Sequence, residues 1–312
     1  MKHDKSTKSV TEGSLFHYTN KLNTLKTIIK TGFRYSYSPE EHSERVSKGE
    51  EWTSYDNMKP ISTSEPQYCI AVPMICFCDI PLLKATEHRE KYGNYCIGVN
   101  KELIRGHLPS LNPLLYCSSD WVYDAIERLV DYLPTQEEIA KHYKDICNIT
   151  NDIDNPIKKA AAIERAIHDG TIAKDIRFDT SFYTAVNTLV ALVKHYKGSK
   201  SMYYNEKEWR VFYSEAGTPI HSFTREQFDE KKNEINKQLW EDKEKSYIKF
   251  DNQDEIITYI IVSKEKEIPK LISEIRKMKS ILGKKLPKDK ENYIKDIIIS
   301  KITSFERIEA DY

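Results

Sequence analysis

The order of periodicities along this 312-residue chain predicts an α+β fold, a mixed sheet core carrying an inserted helical block. Three observations carry that expectation. Apolar runs of strand length cluster at both ends, at 70–80 and 95–99 and again at 209–213 and 256–262. Between roughly 118 and 198 the apolar spacing changes to that of helices. With 10 glycines in all, the chain has neither the Gly-x-Gly-x-x-Gly fingerprint of a dinucleotide-binding unit nor a P-loop. The predicted organisation is one elaborated domain, 1–312, with an α+β core formed by 15–117 and 198–312 and a helical insertion at 118–197.

Taken in order, a strand bearing Phe16-His17-Tyr18-Thr19 opens the core. Leu22, Leu25, Ile28 and Ile29 then repeat at helical spacing over 21–31, and Gly32 stands where a C-cap belongs. Residues 34–68, with Pro39, Gly49, Pro60 and Pro66 and no sustained period, read as a long loop rich in aromatic residues. The run Ile70 to Ile80 is apolar almost throughout, as in a strand covered on both faces, with Pro73 at its beginning or at a bulge. A short helix from Pro81 to about Lys91, a turn at Gly93-Asn94 and a strand Tyr95–Val99 follow. Trp121, Val122, Ala125, Ile126, Leu129, Val130 and Leu133 share one helix face, and more helix is predicted at about 136–147, 156–168 and 180–197. After Gly198 strands return at 209–213 and 256–262, then a helix at about 266–281 and a strand-like stretch at 296–309.

Composition narrows the function classes. With 48 basic and 48 acidic residues, the global charge gives no argument for nonspecific nucleic-acid binding. The lysines at 284, 285, 288 and 290 read as a solvated loop. No stretch approaches 18 uncharged apolar residues, and the polar start Met1–Lys8 has no secretory apolar run, so a cytoplasmic protein that spans no membrane is expected. Six dispersed cysteines read as reduced and mostly buried rather than as a disulfide framework.

Two segments carry chemistry. Glu206 and Glu208 are two apart at the start of a strand-like run, so on a strand they would share a face, and two such close charges would raise at least one pKa. The plainer reading puts both on a solvated edge with Lys207 opposite. His17 is read either as a hydrogen-bonded structural histidine or as a site residue. Cys76-x-Cys78 with His88 nearby does not assemble four well-spaced ligands, so no metal site is expected. A Cys78–His17 nucleophile pair is weakened by the apolar run around the thiol, and no nucleophile elbow supports a serine triad.

The spread of short motifs resembles a known family. Phe16-His17-Tyr18-Thr19, Leu25-x-x-Ile28-Ile29-x-x-Gly32-Phe33, Val72 through Pro81, His88-x-x-x-Tyr92-Gly93-x-Tyr95-x-Ile97-Gly98 and Glu206-x-Glu208-Trp209-Arg210 are similar to AbiGi-type abortive infection proteins of bacterial phage defence. The same order resembles, more distantly, the ADP-ribosyltransferase fold. That second resemblance implies NAD as substrate, held by His17 and Thr19 with Tyr18, Phe77, Tyr95 and Arg210 around it, and Glu208 as the catalytic carboxylate assisted by Glu206. Glu208 would then anchor the nicotinamide ribose and stabilise its oxocarbenium-like transition state. The loop aromatics Phe33, Tyr35, Tyr37, Trp52 and Tyr55 would either exclude water from the nicotinamide or pin the loop to the core. The resemblances thus imply an NAD-dependent ADP-ribosyltransferase-like toxin with a protein or nucleic-acid acceptor and a cognate antitoxin. The alternative is a catalytically inactive antitoxin or sensor that acts by binding a protein partner, and a third reading is a metal-dependent hydrolase using Glu206 and Glu208.

Overall fold

The computed structural model describes residues 13–42, 68–117, 136–172, 203–213 and 221–311, with 125, 129, 185, 186, 189 and 192–195. Nine strands form one mixed sheet: β1 Ser14–Thr19, β2 Ser36–His42, β3 Tyr68–Cys78, β4 Tyr95–Asn100, β5 Asn112–Pro113, β6 Glu208–Phe212, β7 His221–Thr224, β8 Ile257–Val262 and β9 Ile302–Ser304. The order is β9-β8-β4-β1-β3-β6-β5, with β2 and β7 also paired to β3. Pairing is antiparallel except between β8 and β9.

The eleven-residue β3 is the organising strand. One edge takes β6 along its second half, from Met74↔Phe212 to Cys78↔Glu208, and β7 along its first half, from Ala71↔His221 to Tyr68↔Thr224. The other edge takes β2 from Tyr68 to Met74 and then β1 at Phe16↔Cys78. Among the described residues no strand pairs with 75–77 on that edge, so the sheet is open between β1 and β2. The helix α1, Leu22–Thr31, connects the two.

Leu25, Ile28 and Ile29 of α1 are buried, as the spacing predicts, and Gly32 caps the helix at φ 87°. A Cβ there would lie 2.2 Å from the Ile248 carbonyl oxygen, so glycine is needed for space as well as for conformation. Strand β1 alternates between two cores. Leu15 joins Ile29, Ile97, Ile260, Leu271, Ile275 and Ile298 on the α1 face, while Phe16 and Tyr18 join Cys78, Ile80, Cys96 and Phe305 on the other.

Several expectations shift. The stretch 34–68, read as loop, contains β2, whose pairing with β3 outweighs the turn-forming composition. The segment 296–309 splits into the end of a helix Glu291–Ile299, the three-residue β9, and a helix Phe305–Asp311. A helix Arg225–Leu239 was not signalled because few of its residues are apolar; Phe228 and Ile235 carry its burial, and a Thr224–Gln227 capping box starts it. Helices Gln136–Thr150 and Pro156–His168 lie where predicted. Of the helix predicted at 180–197, the described residues 185, 186, 189 and 192 are helical, while its end is a strand, Val193–His195, which pairs in parallel with Leu115–Cys117. The predicted apolar face at 121–133, apart from Ala125 and Leu129, and the loop residues Trp52 and Tyr55 lie outside the described residues. No helix among the described residues is long and apolar enough to cross a membrane.

Candidate functional site

The opening beside β3 is a cleft of about 600 Å³. His17 bridges it. Its Nδ1 lies 2.8 Å from the carbonyl oxygen of Cys76, on the stretch of β3 whose edge between β1 and β2 has no strand partner, so the ring N–H supplies a hydrogen bond where the sheet is open. The imidazole packs edge-on against Phe33 and Phe77 at centroid distances of 5.4 and 5.7 Å. Burial pushes its pKa down, partly offset by the bond to Cys76, which leaves a neutral ring at pH 7.

On the opposite sheet face the cleft floor is charged. Arg210, 1% exposed, donates Nε to Glu208 Oε1 at 2.8 Å and Nη2 to Glu208 Oε2 at 3.1 Å, and also reaches Glu40 at 2.9 Å. Lys194 Nζ sits 3.3 Å from Glu206 and 3.4 Å from Glu208. Lys91 Nζ is 2.5 Å from Glu206, and the Tyr92 hydroxyl donates to the same carboxylate at 3.3 Å. Burial raises the Glu208 pKa, but Arg210 and Lys194 outweigh it and hold the carboxyl well below the usual range. The predicted raised pKa of a glutamate pair is therefore not met at Glu208, because cations stand between the carboxylates.

The pair also converges for a different reason than strand alternation. Glu206 ends a 3₁₀ turn, Tyr203–Glu206, and Lys207 adopts φ 41° before β6 begins at Glu208. Lys194 touches both carboxylates.

Register divides the predicted site residues. Directly paired residues in a sheet share a face. Phe16, Cys78 and Glu208 are aligned across three strands, so Tyr18 and Arg210 share the Glu208 face while His17 and Thr19 point to the other. Phe77 accompanies His17. Thr19 pairs with Tyr95 outside the cleft lining, and the Tyr95 hydroxyl donates to Glu267 at 2.9 Å. The cleft touches both His17 and Glu208 because the sheet is open there.

Sequence reasoning gave several cleft residues no role in the site. The helix Thr86–Tyr92 presents His88, Lys91 and Tyr92 at i, i+3 and i+4, a spacing that signals one shared face. The His88 ring lies 4.9 Å from Tyr18 and 4.4 Å from Tyr92, and burial brings its pKa down to about 4 against the pull of Glu206. Glu40 and Lys194 carry no local signal, since their roles arise from β2 pairing with β3 and from the return of a long segment. Among the described residues no three His, Cys, Asp or Glu side chains group as a metal site.

Comparison with known proteins now identifies the lineage. The family described as "Putative abortive phage resistance protein AbiGi, antitoxin" matches residues 35–263. The chain belongs to the AbiGi family. A relative, the abortive phage resistance protein AbiGi of Lactococcus lactis subsp. cremoris, is 23% identical over 250 residues, spanning 77% of this chain and 89% of the relative. No solved structure matches. The stretch shared with the AbiGi family takes in β3, β6 and the charged cleft floor, so the network lies within the matched region.

Proposed function

We propose that this AbiGi chain is the antitoxin of an abortive-infection pair and acts by binding a toxin partner rather than by transferring ADP-ribose. The division of the predicted residues by the sheet supports this reading. His17 is committed to Cys76 on one face, while Glu208 on the other is paired bidentately with Arg210 and touches Lys194. A carboxylate that stabilises a developing oxocarbenium ion must present uncompensated charge to the ribose. Glu208 faces two cations instead. The word antitoxin in the family description points the same way.

The test is co-expression with the toxin it is paired with. Growth arrest should be relieved, and the two proteins should co-elute as one complex. Relief without a complex would refute the binding mechanism.

One observation favours a second reading, an ADP-ribosyltransferase-like toxin. The cleft reaches His17, Tyr18, Phe77, Glu206, Glu208 and Arg210, and its volume of about 600 Å³ suits a small-molecule substrate such as NAD. Labelled ADP-ribose transferred from NAD to protein or nucleic acid, and lost in Glu208→Gln, would establish that reading and overturn the first.

A further inference from the structure

We propose that Lys194 is an internal lock: it fastens the root of the 118–192 segment to the cleft and, through the same contact, keeps Glu206 and Glu208 neutralised. The inference does not depend on whether the cleft serves a toxin or NAD.

The two ends of that segment leave and return side by side. Leu115–Cys117 and Val193–His195 pair in parallel, with Tyr116 directly opposite Lys194. Both residues grip the same turn of chain. The Tyr116 hydroxyl accepts the Glu208 backbone N–H at 2.9 Å, while the Lys194 ammonium lies 3.3 and 3.4 Å from the Glu206 and Glu208 carboxylates. Val193, 4% exposed, seats the root in the core.

Charge makes this contact more than a tether. The cleft floor has the carboxylates of Glu40, Glu206 and Glu208 and the cations Lys91, Lys194 and Arg210. Arg210 serves Glu40 and Glu208, Lys91 serves Glu206, and Lys194 touches both members of the glutamate pair. The two oxygens that share Lys194 are no more than about 7 Å apart, since each lies within hydrogen-bond reach of one nitrogen. Withdrawing the lysine removes one of the two cations that hold the Glu208 carboxyl ionised, so Glu208 takes up a proton more readily. By linkage, proton uptake at the pair loosens the root, and displacement of the root alters the charge of the cleft. Among the described residues, Cys76, Cys78, His88, Tyr92 and Tyr116 are further titratable groups around the pair.

The experiment compares wild type, Lys194→Met and Lys194→Arg by carbon-detected titration of the glutamate carboxyls and by amide exchange at 115–117 and 193–195. In Lys194→Met, Glu208 should bind its proton at least tenfold more tightly, the root amides should exchange at least tenfold faster, and Lys194→Arg should restore both. Faster exchange with unchanged titration would reduce Lys194 to packing and overturn the proposal, as would unchanged exchange. Should Lys194→Met fail to fold, Lys194→Gln, which removes the charge and keeps a polar side chain, takes its place with the same two readouts, and unchanged titration of Glu208 or unchanged root exchange in it would overturn the lock.

Discussion

Replacing Arg210 with methionine is the sharpest probe of the cleft floor, because it removes the charge while keeping a long apolar side chain in a site only 1% exposed. Three short contacts go with it: the two bonds to Glu208 at 2.8 and 3.1 Å and the contact with Glu40 at 2.9 Å. Lys194, 3.4 Å from Glu208, remains as partial compensation. Breaking a buried pair from one side costs about 3–5 kcal/mol, since the surviving charge stays buried, and for 312 residues that corresponds to a fall in Tm of about 5–8 °C. The loss depends on pH. The folded-state pKa of Glu208 lies below the ordinary value of 4.5, so its contribution is present above that value and lost as pH falls through the folded one. Without Arg210 the folded pKa rises and this contribution disappears. The gap between wild type and Arg210→Met should thus be widest at pH 7 and shrink by pH 4, measured as urea unfolding free energies. A loss under about 1 kcal/mol, or the same loss at both pH values, would refute the argument that buried charge dominates this site.

Gly93→Ala should destabilise the chain by at least about 3 kcal/mol, from a backbone held at φ 112° and from a Cβ placed 2.4 Å from Asn20 Cα and the Thr19 carbonyl oxygen; an unchanged melting temperature would contradict that crowding. His17 and His88 are both buried with lowered pKa values, so the unfolded chain takes up their protons first as pH falls below 6.5. For His88 the loss of stability should run from about pH 6.5 down to its folded value of about 4, and His88→Phe should flatten the urea-midpoint profile across that window. A profile as steep as wild type would remove His88 from the account.

The elements most legible in the sequence were those whose burial follows from local pattern. The α1 helix with Gly32 and the long apolar β3 declare themselves by spacing, because each buries a stripe or two faces of its own, whereas the helix at 156–168 follows its spacing with Ala166 alone buried. Strand β2 did not, since its turn-forming residues are held by a neighbour distant in sequence. The site shows the same limit. Glu206, Glu208 and Arg210 are close in the chain and were found, whereas Glu40, Lys91 and Lys194 reach them from three other elements. The separation of His17 from Glu208 rests on register, which shifts every side chain to the opposite face when it slips by one residue and which no short motif encodes.

The position of β3 has a consequence in time as well as in space. Its partners come from residues 14–19 and 36–42 before it and from 208–212 and 221–224 well after it, so during synthesis one whole edge of an eleven-residue, largely apolar strand waits for more than a hundred further residues. Such distant pairing slows assembly and leaves a ready template for wrong strand addition. Newly made AbiGi chains therefore pass through a stage in which β1, β2 and β3 are available while the strand bearing Glu208 and Arg210 is still absent, and the charged floor cannot close until that strand is made.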